Sequence, residues 1–188
     1  MNWLYECDRC SYSKRAAWPF SVYMLASTDS MSVSDRWSSY LPIQTNTSWC
    51  YGCANITISE RIRPLDVLGD QLRRLHVNES RSSYPHPQSQ YEARDTPRRV
   101  EWRRRRISPP KCLECGDTKI ELMVTDNFEL ILDDEAEYIE TKFDITHPGC
   151  GGRFVNKGGA FLQFGGMCMY TPEGDSIEGN IESASMTD

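Results

Sequence analysis

The chain is short of apolar material and of histidine. Hydrophobic residues make up 39% of its 188 positions, and only 3 positions are histidine. So little apolar content argues against one large core and for small units that need a further constraint to fold. No stretch approaches the roughly 18 apolar residues of a membrane-spanning helix. The opening Met1-Asn-Trp-Leu-Tyr-Glu-Cys7 has neither a basic region nor an apolar run. No export signal is expected from it, and a cytoplasmic location is. The motifs of several metal and nucleotide enzymes are also missing. There is no His-Glu-x-x-His, and no Gly-x-x-x-x-Gly-Lys to cradle phosphate. A zinc deaminase needs His-x-Glu and Pro-Cys-x-x-Cys. Here His76-Val-Asn-Glu79 has the wrong spacing, and Lys111 separates Pro110 from Cys112.

Cysteine is what the chain does have, and its spacing is regular. Cys7-Asp-Arg-Cys10, Cys50-Tyr-Gly-Cys53 and Cys112-Leu-Glu-Cys115 repeat one interval, and His147-Pro-Gly-Cys150 completes a fourth pair. Two ligands three positions apart let one tight turn aim both at a single cation, and a following glycine can take the positive φ that such a turn needs. Gly116 and Gly151 stand at that position after the third and fourth pairs, whereas Ser11 and Ala54 follow the first and second. Four pairs make two tetrahedral zinc sites, two ions per chain. Zinc accepts a neutral imidazole in place of a thiolate, so His147 fits. Iron at an all-cysteine site ranks below zinc. Disulfides belong to oxidising compartments and denser scaffolds, and no βαβ pattern supports a redox Cys-x-x-Cys. Sequential pairing closes the shorter loops and is expected: Cys7, Cys10, Cys50 and Cys53 at one site, Cys112, Cys115, His147 and Cys150 at the other. A cross-braced alternative, with Cys7 and Cys10 sharing a metal with Cys112 and Cys115, stays open because closure depends weakly on length.

The coarse reading is a mainly β chain with a short helix: two zinc-ribbon-like lobes of small antiparallel sheets joined by a helix and a basic linker. The N-terminal lobe covers 1–63. A strand is expected at Trp3-Leu4-Tyr5 and another through Ile56 and Ile58, and Trp37, Tyr40 and Leu41 are read as covering the metal. The middle, 64–110, opens with a helix from Pro64 whose Leu65, Leu68, Leu72 and Leu75 form one stripe. That stripe either packs onto a ribbon or serves a partner. A polar linker (78–97) follows. Arg98, Arg99, Trp102, Arg103, Arg104, Arg105 and Arg106 then form a basic stretch, read as a basic linker or as a strand with its arginines on a solvated face. Its arginine forks suit phosphates and its tryptophan a base. The C-terminal lobe covers 111–168, with strand candidates at 119–125 and 128–132 and a third running into His147. A hairpin turn is expected at Gly158-Gly159. Cys168 reads as a small apolar residue. Residues 169–188 read as an acidic, disordered tail.

Charge divides along the chain: net −1 over 1–60, +7 over 61–111 and −12 over 112–188. Such a split points to a charged partner or to contact between segments.

With its pairs in place, the chain resembles zinc-ribbon proteins. It is similar in particular to small bacterial proteins of unassigned function that carry two successive ribbons. Tyr5-Glu-Cys7-Asp-Arg-Cys10 matches their opening, and residues 112–116 and 147–152 match their later Cys-x-x-Cys-Gly and Cys-Pro-x-Cys-Gly-Gly turns, with His147 in place of a cysteine. The resemblance implies the fold and the metal, and no activity, because ribbons serve many functions. Closed four-ligand sites leave no room for a catalytic water. The expected function is therefore a non-catalytic, zinc-stabilised interaction protein, an adaptor or accessory subunit binding another protein, with self-association open and no membrane. The alternative is nucleic-acid binding through Arg98–Arg106.

Overall fold

The computed structural model describes residues 2–17, 20–27, 30–79, 87–123, 141–160 and 167–177. The chain is mainly β, with three small sheets and three helices among these residues. Strands β1 (Asn2–Cys7), β2 (Ser13–Ala17), β8 (Thr141–Thr146) and β9 (Arg153–Ala160) form one sheet in the order β2-β1-β9-β8. Strands β5 (Thr45–Cys50), β6 (Asn55–Glu60) and β7 (Ile120–Leu122) form a second, in the order β6-β5-β7. The third joins β3 (Phe20–Met24) to β4 (Tyr40–Pro42) and, in parallel, to β10 (Met167–Tyr170). The helices are α1 (Val33–Ser39), α2 (Leu65–Glu79) and α3 (Pro87–Arg105).

Every sheet mixes early and late strands. β1 pairs with β9, β5 with β7 and β3 with β10. The expected lobes, 1–63 and 111–168, are therefore interleaved rather than each closed on itself. Two cores result. Tyr5, Trp49, Ile56, Met123, Ile145 and Phe154 fill the space between the first two sheets, with Tyr12 packed against them. Tyr23, Leu41, Trp102 and Tyr170 form the second, which Ile62, Leu113 and Cys168 flank.

Several local expectations are corrected. The basic stretch is the last part of a helix, and α3 starts at Pro87, inside the segment read as a linker. Its inward face carries Asp95, Thr96, Val100, Trp102 and, just past its end, Arg106. Only two of these are apolar, so no hydrophobic stripe marks the helix. Gly158-Gly159 makes no hairpin turn: β9 continues through it, with a register shift against β1 between the Trp3–Gly159 and Tyr5–Asn156 pairs. Residues 169–177 are built into the fold. Tyr170 is buried, and Ile177 N–H donates to Met169 O. Leu41 lies in the second core and Trp37 is 60% exposed on α1, so neither covers a cysteine cluster. The stripe on α2 faces both ways: Leu68 and Leu75 are buried, Leu72 is half-buried and Leu65 is exposed. The strand expected at 128–132 and residues 178–188 of the expected tail lie outside the described residues.

Candidate metal centres

Each cysteine pair sits in a tight turn next to a strand. The first closes the β1–β2 hairpin and the fourth the β8–β9 hairpin. The second closes β5–β6, and the third lies just ahead of β7. Three of the four turns leave the second ligand through a positive φ: Gly116 at 78°, Gly151 at 66° and Ala54 at 49°. The two glycines are at ease there, while the alanine carries a strained backbone.

The pairing of these turns corrects the sequential assignment. Cys7 and Cys10 meet His147 and Cys150, and Cys50 and Cys53 meet Cys112 and Cys115. The cross-braced alternative is overturned as well. One ligand set is nested inside the other: inner partners are separated by 59 and 65 residues, outer ones by 137 and 143. The reason is in the sheets. β1 lies beside β9, which brings the first turn to the fourth. β5 lies beside β7, and Ser59 bridges to Cys112, which brings the second turn to the third.

At the outer centre Cys7 Sγ lies 3.4 Å from Cys150 Sγ. His147 Nδ1 lies 3.3 Å from Cys10 Sγ and 3.4 Å from Cys150 Sγ. At the inner centre Cys50 Sγ lies 3.6 Å from Cys115 Sγ, and Cys53 Sγ 3.8 Å from Cys112 Sγ. Ligands about 2.3 Å (sulfur) and 2.0–2.1 Å (nitrogen) from a tetrahedral zinc are separated by roughly 3.5–3.8 Å. The observed separations fit that figure and are far longer than a disulfide. Both sets of four could hold one metal ion each.

The backbone supports the sulfurs. Gly152 N–H donates to Cys150 Sγ and Cys53 N–H to Cys50 Sγ, each at 3.4 Å. Thr57 Oγ1 lies 3.6 Å from Cys112 Sγ. The paired turns approach very closely. A Cβ on Gly152 would stand 2.5 Å from Cys7 Sγ and 2.7 Å from Arg9 Cβ, and one on Gly52 would stand 2.4 Å from Asp117 Oδ2. Asp8 Oδ1 accepts from Arg153 N–H, and Arg9 donates to Cys150 O, which pins the outer pair of turns. Without metal the thiols differ in acidity. Burial pushes Cys50 up to about 11 and raises Cys53 further, where Cys115 and Cys112 add to the effect. Burial also opposes ionisation of Cys115, but the backbone of Asp117 and the facing thiols hold it below the ordinary thiol value. A metal ion must displace these protons, so binding and deprotonation are linked.

His147 is the pivot between the two centres. Its ring lies 4.9 Å from Tyr12, 5.2 Å from Trp49 and 5.3 Å from Phe154, centroid to centroid. Trp49 immediately precedes the inner ligand Cys50. Tyr12 donates to Asn55 Oδ1 and accepts from Ile56 N–H, reaching the inner hairpin from the outer one.

Compared with known proteins, the chain matches no family model, no curated protein and no solved structure. Its chemistry must therefore be read from its own residues.

A third cluster holds no cysteine and was not found from the sequence. Arg106 and Glu60 are fully buried and joined by two contacts, Nη1 to Oε1 at 2.8 Å and Nη2 to Oε2 at 2.5 Å. Tyr23 Oη donates to Glu60 Oε1 at 2.7 Å, and Lys111 N–H donates to Glu60 Oε2 at 2.8 Å. Arg106 donates further to the carbonyls of Ser108 and Pro109 and lies over the Trp102 ring. Gly174, at φ 80°, passes so close that a Cβ would meet Glu60 Oε1 at 2.5 Å. Burial and the neighbouring carboxylate push the Tyr23 hydroxyl far above its ordinary value.

This cluster absorbs much of the basic stretch. Trp102 is 8% exposed, stacks on Tyr23 and donates to Pro172 O. Arg98 donates to the carbonyls of Ser38 and Tyr40, Arg99 to Pro42 O, and Arg103 to Arg106 O. Arg104 and Arg105 remain exposed, each beside Glu101. Among the described residues, no helix is long and apolar enough to cross a membrane.

Proposed function

We propose that this protein is a non-catalytic binding module of the double zinc-ribbon kind. It holds two structural zinc ions and works in the cytoplasm as an adaptor or accessory subunit for another protein. One observation carries the reading: each ligand set is complete with four protein donors at tetrahedral spacing. A catalytic zinc keeps an open position for water or substrate, whereas a structural one is closed. Cysteine-rich sets of four with one imidazole suit zinc better than harder cations.

Elemental analysis of protein purified without chelator should return two zinc ions per chain. A strong chelator should then remove far-UV and near-UV structure together. Cross-linking in lysate, with and without nuclease, should retain a protein partner in both samples. A partner lost on nuclease treatment would instead favour the nucleic-acid reading. That reading is supported less well, because Trp102 and Arg106 are buried and only Arg104 and Arg105 stand free of the fold.

A further inference from the structure

Away from both metal centres, a cavity of about 700 Å³ opens between the β3–β4 edge, α1 and the α2–α3 pair. This volume lies within the range of small-molecule sites. Four aromatic rings line it: Tyr40 of β4 is half-buried, and the other three are largely exposed, Phe20 of β3 at 47%, Trp37 of α1 at 60% and Tyr91 of α3 at 58%. Isolated exposed aromatics are ordinary, but three around one cavity offer stacking surfaces to a flat ring.

The cavity is also positively charged in a particular way. Arg94 lines it, but its charge is matched by Asp95, at 2.8 and 3.1 Å. Asp95 also takes Arg98. Arg63 and Arg99 line the same space, and among the described residues neither has a carboxylate within ion-pair distance. Among the described residues Arg63 donates only to Gln71, and its Nε is closed off from solvent with no partner there. Arg99 donates, among the described residues, only to the carbonyl of Pro42. Burial, together with Arg63 and Arg98, makes the Arg99 charge harder to hold, and Asp95 and Glu92 only partly offset this. Two half-buried guanidinium groups that no carboxylate among the described residues contacts as an ion pair are the chemistry of an anion site. Glu92, on the lining, leaves an acceptor for a ligand hydroxyl or amino group.

We infer that this cavity binds a small flat anion of nucleotide size. Its ring would lie among Phe20, Trp37 and Tyr91, and its phosphate on Arg63 and Arg99. The inference is independent of the proposed partner-binding role.

The test uses the full zinc-loaded chain, titrated by calorimetry and by NMR of the tryptophan indole N–H signals. Adenosine 5′-monophosphate should bind and shift the Trp37 signal. Adenosine, which lacks the charge, and inorganic phosphate, which lacks the ring, should each bind at least tenfold more weakly. Arg63→Gln should weaken the nucleotide at least tenfold. Trp37→Ala should also weaken it, with an unchanged melting temperature because the ring is exposed. Four results would overturn the inference: no binding at millimolar nucleotide, equal affinity for adenosine, undiminished binding by Arg63→Gln, or a single-stranded oligonucleotide binding tenfold tighter than the mononucleotide.

Discussion

The inner and outer metal centres are built from the same turn yet differ in three ways. The inner one has four sulfurs and the outer three plus an imidazole. The inner one joins segments 59 to 65 residues apart, the outer one segments 137 to 143 apart. The inner sulfurs are supported by polar neighbours such as Thr57, whereas His147 stands among three aromatic rings. Exchanging a thiolate for an imidazole removes one negative charge and adds a flat surface. The ligand can then belong to the metal and to the hydrophobic core at once, which a thiolate cannot do as well.

The largest effect that would sharpen this contrast comes from removing single ligands. Structural zinc contributes about 10–16 kcal/mol in small domains, and whole-domain stability is about 5–15 kcal/mol. Cys112→Ser should therefore unfold the inner sheet and, through Trp49 and Tyr12, loosen the outer one. Circular dichroism and a metal count near zero would report it. His147→Ala should leave one metal, with hydrogen-exchange protection lost in β1, β8 and β9 but kept in β5 and β6. His147→Cys should restore two metals while lowering stability, because the aromatic contacts are gone. Equal responses to Cys112→Ser and His147→Ala would show that the centres do not differ in this way.

Acid should separate them next. Four thiols must lose protons at the inner centre and three at the outer. Between roughly pH 7 and 8, inner affinity should rise with pH by up to about one power of ten more per unit than outer affinity. Competition with a chromogenic chelator would read the two slopes, and parallel slopes would contradict the assignment of ligands.

The buried Arg106–Glu60 pair is the third strong point, and a smaller loss is expected there. Arg106→Gln leaves a buried carboxylate short of its partner and should cost about 3–5 kcal/mol. Replacing both, Arg106→Met with Glu60→Leu, should cost less than Arg106→Gln alone, since no charge is then left unpaired. Denaturant titration would show the order, and a double variant worse than the single one would refute it.

Two substitutions should stabilise slightly. Ala54→Gly relieves a positive φ, by up to about 1 kcal/mol. Gly69→Ala, mid-helix with open space around it, should also gain about 1 kcal/mol. Gly152→Ala is the contrasting control: its Cβ would strike Cys7 Sγ, so the outer metal should be lost.

The cysteine pairs were legible in the sequence because a three-residue interval is a local property of one turn. Their partners were not. Doubling a loop costs only about 0.6 kcal/mol, so loop length could not outweigh the strand pairing of β1 with β9 and β5 with β7. Helix α2 was legible from its leucines. Helix α3 was not, because its inward face carries Asp95, Thr96, Trp102 and Arg106 rather than an apolar stripe, and Pro97 lies inside it. Arg106 read as solvent-facing because arginine is rarely fully buried without a partner, and that partner, Glu60, lies far away in the chain.

Nesting also sets an order of events in a growing chain. On the ribosome, Cys50, Cys53, Cys112 and Cys115 have all been made well before His147, so the inner ion can be captured while the outer ligands are still incomplete. Cys7 and Cys10 emerge first and are satisfied last, and until then they are the thiols open to oxidation or to a stray metal.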